Sequence, residues 1–207
     1  RLSFLFHYLI ALTRVTSTIL ITHPTLNAHH VSFSYFTRSN TDAAWFNGDL
    51  SNWNTKRVVS LDHTFHKATR FTGDCVSSWD TSSVTTLSGT FTNMVQFNAN
   101  LSNWDTSSVT DFSYAFMGAT SFTGDGVSNW DTSRVTTLFR TFQGATSFTG
   151  DGVSNWDTSS VSDLWATFYG ATSFTGDGLT NWDTSKVTSL ENTFWGATSF
   201  TGDGVSN

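Results

Sequence analysis

Large apolar residues recur along this chain at fixed intervals. Trp53, Trp79, Trp104, Trp130, Trp156 and Trp182 stand at steps of 26, 25, 26, 26 and 26 residues, and each is followed 18 residues later by Phe71, Phe97, Phe122, Phe148, Phe174 or Phe200. Self-similarity at such a period is the sequence signature of a repeat architecture. The single-residue variation falls between Phe and the next Trp. Phe46-Asn-Gly-Asp-Leu-Ser-Asn-Trp53 and Phe97-Asn-Ala-Asn-Leu-Ser-Asn-Trp104 are one residue shorter than Phe122-Thr-Gly-Asp-Gly-Val-Ser-Asn-Trp130. Length changes are absorbed by surface loops, so Thr-Gly-Asp-Gly is read as the turn.

Within one unit, Val135, Leu138 and Phe142 stand at i, i+3 and i+7, the spacing of one helix face. Ser133 ahead of them suits an N-cap and Gly144 behind them a left-handed C-terminal position, which predicts a helix of about two to three turns. Val161, Leu164, Phe168 and Gly170 repeat that frame. Val127-Ser-Asn-Trp-Asp-Thr132 lacks helical spacing and is predicted to be a short strand, with Trp130 and Thr132 inward and Asn129, Asp131 and Ser133 outward. One strand and one short helix cannot bury both faces alone, so each unit needs neighbours above and below it. The expected fold is an α/β solenoid of about six 25–26-residue units, each one short strand plus one short helix, with 1–45 as an N-terminal targeting or cap segment and 46–207 as the array. A lone unit is expected to be unfolded.

Composition narrows the function. Charged residues are 13% of the 207 and aromatics 15%, so disorder through charge is excluded. The charge is uneven: residues 1–70 hold seven basic and three acidic side chains, whereas 71–207 hold three basic (Arg134, Arg140, Lys186) against thirteen acidic, a balance of −10. An acidic array repels phosphates and anionic headgroups, which argues against nucleic acid as a partner. Cys75 is the sole cysteine, so no internal disulfide or multi-cysteine zinc site is available.

The cycle Phe-x-x-x-x-Val/Leu-Ser-x-Trp-Asp-Thr-Ser-x-Val-Thr-x-Leu-x-x-Thr-Phe-x-Gly-Ala, in six successive copies over 46–207, resembles the BspA-like leucine-rich surface repeat, a domain of unknown function. Members of that family often carry Met where this chain has Leu87, Leu138, Leu164 and Leu190, and Phe112 takes the position in one unit. Leu for Met conserves core volume. The resemblance implies a leucine-rich-repeat-like stack, a secreted or cell-surface protein with an adhesive role, and no catalytic residues.

The ends differ from the middle. Residues 2–13 are apolar behind Arg1, as in the h-region of a secretory signal, but Arg14 interrupts the run before Val15–Ile21, which fits a membrane span poorly. A signal or anchor remnant, a cap on the array and a gene-model artefact all stay open. The chain stops inside a seventh unit, so a fragment is expected, with membrane attachment only through an N-terminal or a missing C-terminal anchor.

Candidate chemistry lies in rows. Asp80, Asp105, Asp131, Asp157 and Asp183, with Asn54 in the first unit, form an outward column beside Asn129, Asn155 and Asn181. Adjacent strands lie about 4.8 Å apart, and two carboxylates near 5 Å repel by roughly 0.8 kcal/mol in water, so something must offset the repulsion. One reading has each Asp accepting backbone N–H groups of the following turn; the other has a cation or sugar held along the row. In the turns, Asp74, Asp125, Asp151, Asp177 and Asp203 are weak calcium candidates. One carboxylate per turn falls short of the six to eight oxygens calcium takes. His63 and His66, with His29 and His30 upstream, match no zinc spacing, and Cys75 has no His partner at a defined spacing. Asn100-Leu101-Ser102 is a lone glycosylation sequon. Trp165 and Trp195 stand beside core positions, where they either stack on sugars or extend the core.

These readings predict a non-enzymatic extracellular or cell-surface protein that binds a protein or glycan ligand through its repeated polar face, with no cofactor. The alternative from another class is an ice- or mineral-binding solenoid that uses stacked Thr and Ser rows.

Overall fold

Residues 31–32 and 43–202 are described by the structure, a computed structural model; the apolar N-terminal stretch, His7, His23, His29, His30 and Asp203 lie outside them. Successive units lie side by side in parallel. A short strand β1 (Val31–Ser32) pairs with β2 (Val58–Ser60), and from there single bridges continue the row: Ser60 to Thr86, Thr86 to Asp111, Asp111 to Thr137, Thr137 to Asp163 and Asp163 to Ser189. The pairing therefore begins ahead of residue 46.

Each of these bridge positions carries Ser, Thr or Asp, because the side chain turns back on its own backbone. Ser60, Thr86, Asp111, Thr137 and Asp163 accept the N–H two residues on, at 2.7–3.2 Å. That contact bends the chain off the bridge after one residue, so no longer strand forms there.

The predicted helix at Val135–Gly144 is replaced by a run of tight turns. Thr141 N–H donates to Leu138 and Ala145 N–H to Phe142, at 3.1 and 3.0 Å, each an i to i+3 closure, with Arg140 (φ 55°) and Gly144 (φ 68°) at the third positions. The intervening N–H groups of Leu138, Arg140, Phe142 and Gly144 cross to the carbonyls of Asp163, Trp165, Thr167 and Tyr169 in the next unit, at 2.7–3.0 Å. A helix keeps every such bond within itself. An isolated helix of this length is marginal, whereas half of these bonds serve to join units. The left-handed residues recur in every unit, at His63, Gly89, Tyr114, Arg140, Ala166 and Asn192 and again at Lys67, Asn93, Gly118, Gly144, Gly170 and Gly196. Each non-glycine residue in that conformation costs about 1–2 kcal/mol, which the inter-unit bonds and the core offset.

The predicted strand at Val127–Thr132 is likewise corrected. Val127–Asn129 forms a 3₁₀ turn, and the chain becomes extended only at Trp130 (φ −76°, ψ 133°). The same turn occurs at Asp74–Ser78, Val153–Asn155 and Leu179–Asn181, the units with the longer Phe-to-Trp link. Gly126 leads into it at φ 94°, and a Cβ there would collide with the backbone of Ser102 in the preceding unit. The inward and outward sense still alternates: Trp130 and Thr132 are buried, and Asp131 and Ser133 are exposed.

The core is built from columns of like residues. Phe142 and Phe168 stack at 5.8 Å and 1°, Phe148 and Phe174 at 6.2 Å and 4°. Indoles stack in the pairs Trp53–Trp79, Trp130–Trp156 and Trp156–Trp182 at 6.2–6.3 Å, while Trp104 packs on Phe91 at 5.7 Å. A buried indole N–H needs an acceptor. Trp79, Trp104, Trp130, Trp156 and Trp182 donate to the carbonyls of Leu50, Val76, Leu101, Val127 and Val153 of the unit before, at 2.9–3.3 Å. Buried Thr81, Thr106, Thr132 and Thr158 donate in the opposite direction, to the carbonyls of Asp105, Asp131, Asp157 and Asp183.

Candidate functional site

The polar rows expected on the outer face are present as columns, because the Trp-Asp-Thr alternation repeats in register. Asp80, Asp105, Asp131, Asp157 and Asp183 are all exposed, as are Asn129, Asn155 and Asn181. Each Asp caps its own turn: Oδ1 accepts the N–H of Ser82, Ser107, Ser133, Ser159 or Ser185 at 2.9–3.1 Å. In the Asp80, Asp105 and Asp131 units the serine hydroxyl donates to the same oxygen at 2.6–2.7 Å. Ser133, read as an N-cap, is thus the residue capped. Asn54 does the same work in the first unit, accepting Lys56 N–H at 3.3 Å.

These bonds hold Asp80, Asp131, Asp157 and Asp183 below the usual carboxylate range, the serine hydroxyl contributing most and its N–H next. The neighbouring Asp157 pushes Asp131 the other way, and Asp183 does so for Asp157, in each case by less. Hydrogen bonding therefore outweighs repulsion along the row. Lys186 assists at Asp157 and Asp183, and Lys56 at Asp80. Oδ2 of each Asp has no hydrogen-bond partner among the described residues, and each of these Asp residues is exposed.

The Asn column is partly committed to the stack. Asn129, Asn155 and Asn181 donate from Nδ2 to the carbonyls of Ser102, Ser128 and Ser154 in the unit before, at 3.2–3.4 Å. The two rows together form an exposed polar ribbon in which each group is tied to the fold by at least one bond, Asn129 also accepting the Ser128 hydroxyl at 3.5 Å.

The remaining candidates are separate. Asp125, Asp151 and Asp177 are exposed at the turns, and Asp151 and Asp177 accept hydroxyl bonds from Thr149 and Thr175 at 2.9 and 3.1 Å, an arrangement Thr72 and Asp74 share. Among the described residues no three His, Cys, Asp or Glu side chains gather to hold a metal. His63 donates from Nδ1 to Asp62 Oδ1 at 2.8 Å, its ring 5.6 Å from that of His66. Burial, with lesser contributions from Lys67 and His63, pulls His66 below its ordinary value. Burial pushes the Cys75 thiol up, against thiolate chemistry. Asn100 of the sequon is exposed and caps Ser102 N–H at 2.9 Å. No helix among the described residues is long and apolar enough to cross a membrane.

One feature escaped the sequence reading. Tyr114, Phe139, Arg140 and Trp165 come from three successive units and meet on the turn side, with Phe139 and Trp165 stacked at 5.1 Å and Tyr114 edge-on to Phe139 at 5.0 Å. The available signal is a break in the repeat: Ser88 and Gly89 occupy these two positions in the second unit, where Phe139 and Arg140 stand in the fourth.

Parallel units joined by bridges, indole bonds and aromatic columns define a repeat protein. A family model described as Mycoplasma protein of unknown function, DUF285, matches residues 33–126 and 124–206, and the chain belongs to that family. Comparison with curated proteins and with solved structures finds no match.

Proposed function

We propose that the chain is a non-catalytic, secreted or cell-surface protein of the BspA-like leucine-rich-repeat type, an elongating solenoid that holds protein or glycan ligands along its Asn-Asp ribbon. The observation that carries this reading is the row of exposed carboxylates of Asp80, Asp105, Asp131, Asp157 and Asp183, each held at Oδ1 by its partner Ser and without a hydrogen-bond partner at Oδ2 among the described residues. Carboxylate oxygens held in this way accept hydroxyl or amide hydrogens without first losing side-chain freedom. Each contact is weak alone, and repetition multiplies it through effective concentration. A glycan array and a cell-adhesion assay on the chain, each with and without calcium, test the reading. Binding that falls when Asp131 and Asp157 are both changed to Asn supports it; blank results under both conditions overturn it.

A second reading rests on another column. Thr85, Thr110, Thr136, Ser162 and Thr188 each donate their hydroxyl to the carbonyl of the equivalent residue one unit earlier, at 3.0–3.3 Å. A fixed hydroxyl row of this kind suits an ice or mineral surface. Arg134 and Lys186 interrupt the neighbouring Ser83, Ser108 and Ser160 row, which disfavours it. Absence of thermal hysteresis would dismiss it.

A further inference from the structure

We propose that Tyr114, Phe139, Arg140 and Trp165 form a second binding site, independent of the Asn-Asp ribbon, for a sugar ring that carries a single carboxylate. Arg140 is the centre of the site. Its guanidinium carbon lies 4.4 Å from the Trp165 ring centroid, 5.5 Å from that of Phe139 and 5.9 Å from that of Tyr114. The guanidinium is thus packed among three rings while the Arg140 residue stays half-buried. Arg140 makes no ion pair with any described residue; the pair present is His63 with Asp62. An Arg without a carboxylate, in a stretch whose balance is −10, has its strongest favourable interaction left unmade.

Two further atoms point the same way. Arg140 Nε and Gln143 Oε1 are buried without a hydrogen-bond partner. They belong to the same turn, in which Gln143 N–H donates to the Arg140 carbonyl at 3.2 Å. One is a donor and the other an acceptor. Both are shielded from solvent in the unliganded fold, so contact with a ligand requires the Arg140 and Gln143 side chains to turn outward; a carboxylate then answers the first and a hydroxyl the second, and a uronic acid ring supplies both. Phe139 and Trp165, stacked 15° from parallel and each half-buried, offer apolar ring atoms to the C–H groups of such a sugar.

A peptide is the poorer occupant. The N–H groups of Leu138, Arg140, Phe142 and Gly144 are all spent on the next unit, so an extended strand finds no edge to join. A polyanion meets the acidic array around the site. One carboxylate on a sugar avoids both penalties.

The test is an NMR titration of the isotope-labelled chain with methyl β-glucuronide, methyl β-glucoside and hexaglutamate. The expected result is a saturable shift at the Trp165 indole with the glucuronide, at least tenfold tighter than with the glucoside, since a charge-assisted bidentate contact separates the two. Arg140→Asn should erase that preference and Trp165→Ser should weaken both sugars. Both substitutions place residues that this repeat already uses at those positions, Asn192 and Ser88, so folding is retained, and a matching melting curve checks it. Equal binding of the two sugars, no shift with the glucuronide, stronger binding of hexaglutamate, or loss with Asp131→Asn but not Arg140→Asn would each overturn the assignment. The last result would leave the Asn-Asp ribbon standing.

Discussion

Trp156 Nε1 donates to the carbonyl of Val127 across 2.9 Å, from a side chain that is 3% exposed. The bond joins residues 29 apart in sequence, and its equivalents hold every neighbouring pair of units from the first onward. It makes the indole a structural donor as well as an apolar filler. A Phe could take over only the second role.

Trp156→Phe is therefore expected to destabilise the chain by about 0.5–1.5 kcal/mol, the net worth of the lost bond, since the Val127 carbonyl keeps the Trp130 N–H at 3.3 Å. Urea unfolding should show a lower midpoint with an unchanged slope. Trp182→Phe should cost less, since Trp182 is only partly buried.

Thr167 Oγ1 lies 2.9 Å from the Leu138 carbonyl and 2.8 Å from that of Leu164. Thr167→Val keeps the shape and removes the donor, so a loss of about 1–2 kcal/mol is expected. Thermal unfolding checks it.

Two glycines separate steric from conformational cost. Gly126→Ala should cost more than about 2 kcal/mol, because the new Cβ meets Ser102 backbone on top of the left-handed penalty. At Gly144 the nearest atom to a built Cβ is 3.9 Å away, so Gly144→Ala should cost only about 1 kcal/mol. Gly144→Asn should be close to neutral, since Asn93 occupies the same position at φ 58°. Denaturant midpoints of the three variants give the order.

Acid sensitivity follows from the Asp row. Asp80, Asp131, Asp157 and Asp183 have folded values below the unfolded value near 3.9. Their stabilisation is therefore present in full above about pH 4 and is lost as pH falls through the folded values. Replacing all four by Asn, which in Asn54 accepts the same backbone bond, should flatten the fall in urea midpoint between about pH 5 and pH 3. A row that fell as steeply with Asn as with Asp would refute the serine bonds as its cause.

Much of the chain's organisation was legible in one dimension. The period, the inward Trp130 and Thr132, the outward Asp131 and the left-handed Gly144 follow from spacing and from each residue's own chemistry. The cap role of Asp131 was legible too, because an Asx turn is settled within three residues. The helix at Val135–Gly144 was misread because Leu138, Phe142 and Ala145 keep the same inward spacing in a run of turns as in a helix.

The sequence by itself determined the period and the inward face of each unit, since these depend on hydrophobicity and spacing alone, although Leu190 on that face is 53% exposed. Tertiary structure decided the backbone path: the N–H groups of Leu138, Arg140, Phe142 and Gly144 take carbonyls that exist only when the next unit is in place. It also decided the platform around Arg140. Residues from three units, far apart along the chain, become neighbours only through stacking, and no local pattern encodes that meeting.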